Sequence, residues 1–208
     1  MDLMTSVFYF LVLIISIVIH EVAHGIAAER EGDPTARMMG RITLNPLVHA
    51  ESVVSVTLPL VLLVSGAPFF IGWAKPVPYN PANFRIERRG TRIVSMAGII
   101  ANFSIALIVG IAIRMMTLLE VGSLQIFEIM SIVVLVNIVL GVFNLIPIPP
   151  LDGFRFMESI LPVRYIPFIR RYEQYGILIL LLFLFFGVRF IAPLATTLYT
   201  FLTGISLS

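Results

Sequence analysis

Long apolar runs alternate with short polar segments along this chain of 208 residues. Four of the runs are long enough to cross the hydrocarbon core of a bilayer, which takes about 20 apolar residues. Hydrocarbon offers no partner for backbone N–H and C=O groups, so each run is predicted to be a helix, whose hydrogen bonds are internal. The predicted crossings are residues 3–28, 93–116, 125–145 and 175–192.

A fifth apolar run, residues 53–72, is ambiguous. It contains Pro59, Gly66 and Pro68, and these residue types interrupt helices. The pattern fits a re-entrant or interfacial segment as well as a crossing, because broken backbone at membrane depth is tolerated where protein or water surrounds it.

The polar connections between the runs predict smaller elements. Residues 29–52 form a connection with a turn at 32–34, and residues 39–44 are a candidate short strand. A basic loop is predicted at 79–92, and a short amphipathic helix at 154–161. The predicted fold is therefore an all-α polytopic membrane protein with about four transmembrane helices, a re-entrant or interfacial segment and a possible short β element.

Composition supports this fold class. The chain is 59% hydrophobic and 12% charged, and its mean hydropathy is +1.01, far from the balance of a soluble domain. We expect one membrane-embedded domain over residues 1–208. A net charge of +2 argues against a nucleic-acid partner, and the lack of cysteine excludes disulfides and cysteine-ligated metal. The first run has neither a basic start nor an Ala-x-Ala site, so it is not expected to be a signal peptide.

The motif His-Glu-Val-Ala-His ends the first apolar run, at residues 20–24. Residues four apart lie on one helix face, so His20 and His24 can both bind one metal ion. Glu21 between them then lies beside the metal as a general base. The alternative is that the two imidazoles only pack. Polar groups in hydrocarbon are costly without partners, so the metal site is favoured.

A catalytic zinc ion usually has three protein ligands and a water. Two further residues are candidates for the third ligand. His49 lies in the polar connection, and Asp152 follows the prolines that end the third crossing. Asp152 can equally be a simple cap of the following helix. The residues alone leave both possibilities open.

The chain resembles the site-2 protease family of intramembrane zinc metalloproteases, in particular its compact bacterial and archaeal branch without a PDZ domain. The resemblance is carried by the His-Glu-x-x-His motif and by Asn-Leu-Ile-Pro-Ile-Pro-Pro-Leu-Asp-Gly at 144–153, together with Gly-Asp-Pro-Thr-Ala at 32–36, Gly-Arg-Ile-Thr-Leu-Asn-Pro-Leu at 40–47, Gly-Trp-Ala-Lys-Pro-Val-Pro at 72–78 and Ser-Met-Ala-Gly at 95–98. It departs from the family at Ile99, where a proline is common, and at Phe154, where a second glycine is common.

The resemblance implies specific roles. His20, His24 and Asp152 are then the ligands of one Zn²⁺ per chain, Glu21 is the catalytic base, and Asn144 helps to hold the substrate near the metal. The implied activity is hydrolysis of peptide bonds within or near transmembrane segments of other proteins. Its substrate is a transmembrane protein, whose unwound stretch could pair with residues 39–44 or 73–78 as a strand. A catalytically inactive relative that binds transmembrane partners, or a metal-binding or transport protein, is the alternative.

Topology gives an independent expectation. If Asp152 joins the two imidazoles, the first and third crossings must end on the same side, so residues 53–72 must not cross. All of the 14 lysines and arginines except Arg114 and Arg189 then lie on one side. By the positive-inside rule that side is cytoplasmic. We expect a multi-pass protein, in the cell membrane of a prokaryote, with its active site toward the cytoplasm.

Overall fold

The computed structural model describes residues 3–49 and 76–206. Within these residues the regular structure is helical, and three helices are long and apolar enough to span a bilayer. The helices are α1 (Leu3–Glu31), α2 (Thr35–Met38), α3 (Pro46–His49), α4 (Glu87–Leu118), α5 (Leu124–Asn144), α6 (Asp152–Ile160), α7 (Ile166–Gln174), α8 (Gly176–Phe186) and α9 (Ile191–Thr203). The predicted class of an all-α membrane protein is confirmed.

The spanning helices α1, α4 and α5 form the centre of the fold. A tight turn joins α4 to α5, with Glu120 and Gly122 at positive φ, and the Ser123 hydroxyl then caps the start of α5. The contact faces are rich in small residues, as membrane helix interfaces are, because small side chains let backbones approach closely. The outward faces carry exposed Leu and Ile side chains that suit a lipid environment.

The largest apolar cluster lies between α4, α5 and α9. Ala106, Ile138 and Tyr199 are fully or almost fully buried there. The Tyr199 hydroxyl is satisfied by the Ser131 hydroxyl at 2.6 Å. A smaller cluster around Val12 and Val136 joins α1 to α5. These contacts hold the three spanning helices in a fixed arrangement, on which the site described below depends.

The two ends of the connection between α1 and α4 meet. The Arg85 N–H donates to the Glu31 carbonyl at 2.9 Å, so α4 starts beside the end of α1. This arrangement agrees with the topology expected from the sequence. Residues 53–72, for which a re-entrant or interfacial path is expected, lie outside the described residues.

Two details differ from the sequence expectation. Residues 39–44 form a turn and a series of bends instead of a strand. Gly40, at φ 65°, reverses the chain there, and an isolated strand has no ladder to stabilise it. The last predicted crossing, 175–192, is broken into α8 and α9, which are bent by 70°. Gly187 ends α8 and Pro193 lies in the first turn of α9, where proline is tolerated.

Candidate metal centre

Helix α1 presents His20 and His24 on one face toward α4 and the start of α6. Each residue is only 6% exposed. The two rings are nearly perpendicular, with centroids 4.7 Å apart, and their Nε2 atoms are 3.1 Å apart. The spacing of four residues in the sequence therefore produces two nitrogen atoms aimed at one point.

Asp152 completes a group of three. Its Oδ2 atom lies 2.9 Å from His20 Nε2 and 3.1 Å from His24 Nε2. Among the described residues, this is the group of His, Asp and Glu side chains that could hold a metal ion. Asp152 is the first residue of α6, which starts after the proline-rich turn that follows α5. That turn carries the carboxylate back to α1.

The donor set fits Zn²⁺. Two imidazole nitrogens and one carboxylate oxygen are a usual ligand set for catalytic zinc. A tetrahedral ion with bonds of about 2.0–2.1 Å separates its ligand atoms by roughly 3.3 Å, close to the distances given above. The ionised carboxylate is the form of Asp152 that binds a cation.

Hydrogen bonds at the far side of each ring orient the ligands. His24 Nδ1 donates to the Val94 carbonyl at 2.7 Å, and His20 Nδ1 donates to Asn102 Oδ1 at 2.6 Å. With the proton on Nδ1, each Nε2 keeps its lone pair for the metal. Both acceptors lie on α4, so this helix sets the orientation of both rings.

Gly98 on α4 makes room for the two imidazoles. A Cβ atom on this residue would lie 2.6 Å from Nε2 of each histidine. No real Cβ is that close to another atom, so only glycine allows α4 to approach α1 at this level.

Glu21 points to the connection before α4. Its Oε2 atom accepts a hydrogen bond from the Val77 N–H at 2.8 Å. Pro76 and Pro78 flank Val77 and have no N–H, so Val77 supplies the one backbone donor of this tripeptide. The contact ties the Glu21 carboxylate to this connection through Oε2 and does not involve Oε1.

Asp33 fixes the same connection to the end of α1. Its buried carboxylate accepts hydrogen bonds from the Asn80 N–H at 2.6 Å, the Asn83 amide at 2.8 Å and the Thr35 hydroxyl at 2.5 Å. Burial raises the pKa of Asp33, but these hydrogen bonds outweigh it and the pKa is lowered. The Gly-Asp-Pro turn is therefore an anchor for the loop that reaches Glu21.

The other two candidate residues make hydrogen bonds within their own segments. His49 is almost fully buried, and its Nε2 donates to the Thr43 carbonyl at 2.9 Å within the same connection. It does not join His20 and His24, so the structure brings Asp152 to them instead of His49. Asn144 lies at the end of α5, and its amide donates to the Leu140 carbonyl of the same helix at 3.0 Å.

Sequence reasoning missed three features of this site. It did not identify Asn102 as the hydrogen-bond partner of His20, and it gave no role to Gly98. The sequence did contain a signal for both residues. Gly98 and Asn102 are four residues apart, the same spacing that places His20 and His24 on one helix face. The bond from Val77 to Glu21 left no signal, because a backbone N–H carries no side-chain signature.

The fold and the site together define an integral membrane protein with a group of two histidines and one aspartate that could hold a metal ion. Comparison with known proteins leads further. Residues 109–187 match the family described as Peptidase family M50. A Bacillus subtilis (strain 168) protein named "Putative zinc metalloprotease YwhC" is 35% identical over 189 residues, which cover 88% of this chain and 80% of that protein. The chain belongs to peptidase family M50, the site-2 proteases, as the resemblance implied.

More distant relatives agree. A protein named "Putative zinc metalloprotease Rip2" from Mycolicibacterium smegmatis is 29% identical over 82% of this chain and 64% of that protein. The Mycobacterium tuberculosis protein with the same name is 28% identical over 70% of this chain and 54% of its own length. No solved structure matches.

Proposed function

We propose that this protein is an intramembrane zinc metalloprotease that cuts peptide bonds within or near transmembrane segments of other proteins. The observation that carries the proposal is the convergence of His20, His24 and Asp152 on one point, with Glu21 next in sequence to the first ligand. Membership of family M50 supports the same activity.

One Zn²⁺ per chain would be held by His20, His24 and Asp152. When bound, zinc supplies Lewis-acid polarisation of the scissile carbonyl and lowers the pKa of a water toward about 7. The protein supplies the shape of the site: α1 and α4 exclude lipid from the two buried imidazoles, and the fixed rings cost little reorganisation during the reaction.

Glu21 is the general base. Its Oε1 atom takes a proton from the attacking water and passes it to the leaving amide nitrogen, while Oε2 stays on the Val77 N–H. Asn144 lies at the mouth of the proline-rich turn, where its amide can bind the substrate backbone. Its bond to Leu140 is local and easily exchanged for a substrate carbonyl.

The substrate is a transmembrane helix, whose own hydrogen bonds must open before attack. Residues 76–78 have no regular secondary structure and reach Glu21 through the Val77 N–H; in this proposal they contact the opened stretch. The basic side chains at the start of α4 and on α7 lie at the end of the bundle that holds the metal group. This supports a cytoplasmic orientation of the site in a prokaryotic cell membrane.

The test is cleavage of a fluorogenic transmembrane peptide by purified protein. Glu21→Gln should keep zinc and lose cleavage by at least about a hundredfold, since general base catalysis contributes 10²–10⁴. Glu29→Gln makes the same chemical change two helical turns further along α1 and should leave cleavage intact. Cleavage retained in Glu21→Gln would contradict the mechanism, and wild type that binds zinc without cleaving would indicate a binding protein.

A further inference from the structure

A line of polar side chains runs from His20 away from the metal group into the core of the three spanning helices. Asn102 Oδ1 accepts from His20 Nδ1, and Asn102 Nδ2 donates to Asn137 Oδ1 at 2.9 Å. Asn137 Nδ2 then donates to the Val133 carbonyl at 2.9 Å and to the Ser16 hydroxyl at 3.0 Å. The line thus connects α1, α4 and α5.

These side chains are isolated from solvent. Asn102 and Asn137 are 0% exposed and Ser16 is 3% exposed. Amides buried in an apolar region are costly unless they are fully bonded. An apolar pair would pack the same space without that cost, so the two amides require an explanation beyond helix packing.

The hydrogen bond at Asn137, the residue furthest from the metal group, fixes the orientation of both side-chain amides. An amide can turn over and exchange its oxygen for its nitrogen, but a backbone carbonyl only accepts hydrogen bonds. The Val133 carbonyl therefore holds the Asn137 nitrogen, which turns the Asn137 oxygen to Asn102. The Asn102 nitrogen is held there, and its oxygen faces His20.

The orientation of the Asn102 amide determines which nitrogen of His20 carries the proton. An oxygen at Asn102 requires the proton of His20 on Nδ1, so that Nε2 presents a lone pair to the metal. If Asn102 turned over, its nitrogen would require the proton on Nε2, and His20 could not bind the ion. A second acceptor for the Asn102 nitrogen, the Ser16 carbonyl, is 3.5 Å away, too long to hold the amide by itself.

His24 has the same arrangement in a shorter form. Its Nδ1 donates directly to a backbone carbonyl, that of Val94. A backbone carbonyl thus sets the orientation of both imidazoles. The Val94 carbonyl bonds to His24 directly, and the Val133 carbonyl acts on His20 through the two amides. The two lines start from different helices and have the same effect on the two metal-facing nitrogens.

We propose that Asn137 is a positioning residue for the metal centre: it sets the tautomer of His20 through Asn102, without touching the imidazole. The inference rests on the proposed function only in taking His20 as a zinc ligand. Loss of a hydrogen-bond partner behind a ligating histidine typically lowers metal affinity by 10–100-fold. For a partner one step further away, Asn137→Ala is expected to lower zinc affinity by about tenfold.

A rescue experiment separates this role from packing. Zinc affinity of the detergent-purified full chain is measured by competition with a chelator, together with the visible absorption of the Co²⁺ form. In Asn102→Asp the side chain is an acceptor in either orientation, so Asn137 is no longer needed to turn it. Adding Asn102→Asp to Asn137→Ala should recover most of the lost affinity and the wild-type Co²⁺ spectrum.

Ser16→Ala is the matched control. It removes a hydrogen bond from the same Asn137 nitrogen but leaves the Val133 carbonyl, so affinity should stay near that of wild type. Asn137→Leu keeps the branched shape and serves if Asn137→Ala does not fold.

Failure of rescue by Asn102→Asp, or an equal loss in Ser16→Ala, would overturn the inference. Because the assay measures metal and not cleavage, it can fail while the protease mechanism stands. Conversely, it can succeed in a protein that does not cleave.

Discussion

The backbone of Gly98 faces the Cε1–Nε2 edge of the His20 imidazole, with room for a hydrogen atom and for nothing larger. A methyl group there would overlap Nε2 of both histidines. Overpacking of this kind costs about 1–3 kcal/mol, and about 1.4 kcal/mol corresponds to a factor of ten. Gly98→Ala is therefore expected to lower zinc affinity by roughly ten- to a hundredfold, measured by chelator competition.

Gly110 on the same helix provides the control for this prediction. A Cβ atom there would lie 2.9 Å from Leu202 Cβ on α9. Gly110→Ala should lower the melting temperature and leave zinc affinity unchanged, because it is about 18 Å along the helix from Gly98. Equal losses of zinc in both variants would mean that the effect of Gly98→Ala is general loosening of α4.

The bond from Val77 to Glu21 predicts a difference between two substitutions at one position. Val77→Pro removes the N–H that holds the carboxylate, whereas Val77→Ala keeps it. Hydrogen bonds to charged groups contribute about 1.5–3 kcal/mol, so Val77→Pro should lower kcat by about tenfold or more with zinc content unchanged. Val77→Ala should keep most of kcat, and a loss as large as that of Val77→Pro would contradict this role.

Asp33 gives a prediction about pH. Its pKa is lowered in the folded protein, so its contribution to the unfolding free energy is fully present above the ordinary Asp pKa of about 3.9. The contribution is lost as pH falls from there through the folded pKa. Thermal unfolding of wild type and Asp33→Asn should differ by a constant amount above about pH 5. The difference should shrink in more acidic buffer.

Asp33→Asn also tests the anchor at neutral pH. The side-chain NH2 of the asparagine must face one of the groups that donates a hydrogen bond to the carboxylate in wild type. This lowers the unfolding free energy by about 1–3 kcal/mol. Limited proteolysis should then cut the loop before α4 sooner than in wild type. An unchanged cleavage rate would show that the Asn80 and Asn83 bonds do not hold the loop.

Metal removal should destabilise the fold, because the three ligands connect α1 to the start of α6. At free zinc a hundred times above Kd, binding contributes about 2.7 kcal/mol, which in a chain of this size is a shift of roughly 5–10 °C. A chelator should lower the melting temperature of wild type by that amount. His20→Ala should melt at the lower temperature with or without chelator, and a chelator effect in this variant would place the ion elsewhere.

The spanning helices could be predicted from the sequence because hydrocarbon imposes one backbone solution. The expected crossing at 93–116 lies inside α4, and the one at 125–145 matches α5 within one residue at each end. The last crossing could not be predicted as two helices, since Gly187 and Pro193 are single interruptions in an otherwise apolar run. Their effect depends on how α9 packs against α4 and α5.

The site was predictable to the extent that its chemistry is local. The spacing of His20 and His24 places them on one helix face without further information. Asp152 is 128 residues beyond His24, and no local pattern brings it back. The residues alone therefore left Asp152 and His49 as alternatives, and the family resemblance decided between them. The link from His20 through Asn102 depends on the contact of three helices, which a single sequence does not encode in any short segment.

The position of Asp152 late in the chain, after the proline-rich turn, also sets the order in which the three ligands are synthesised. During synthesis the two imidazoles emerge early, whereas the carboxylate follows only after two more membrane helices have been made. A nascent chain therefore carries an unfinished and inert centre through insertion. The set of three ligands is complete only after α4 and α5 have been made and the proline-rich turn has returned Asp152 to α1.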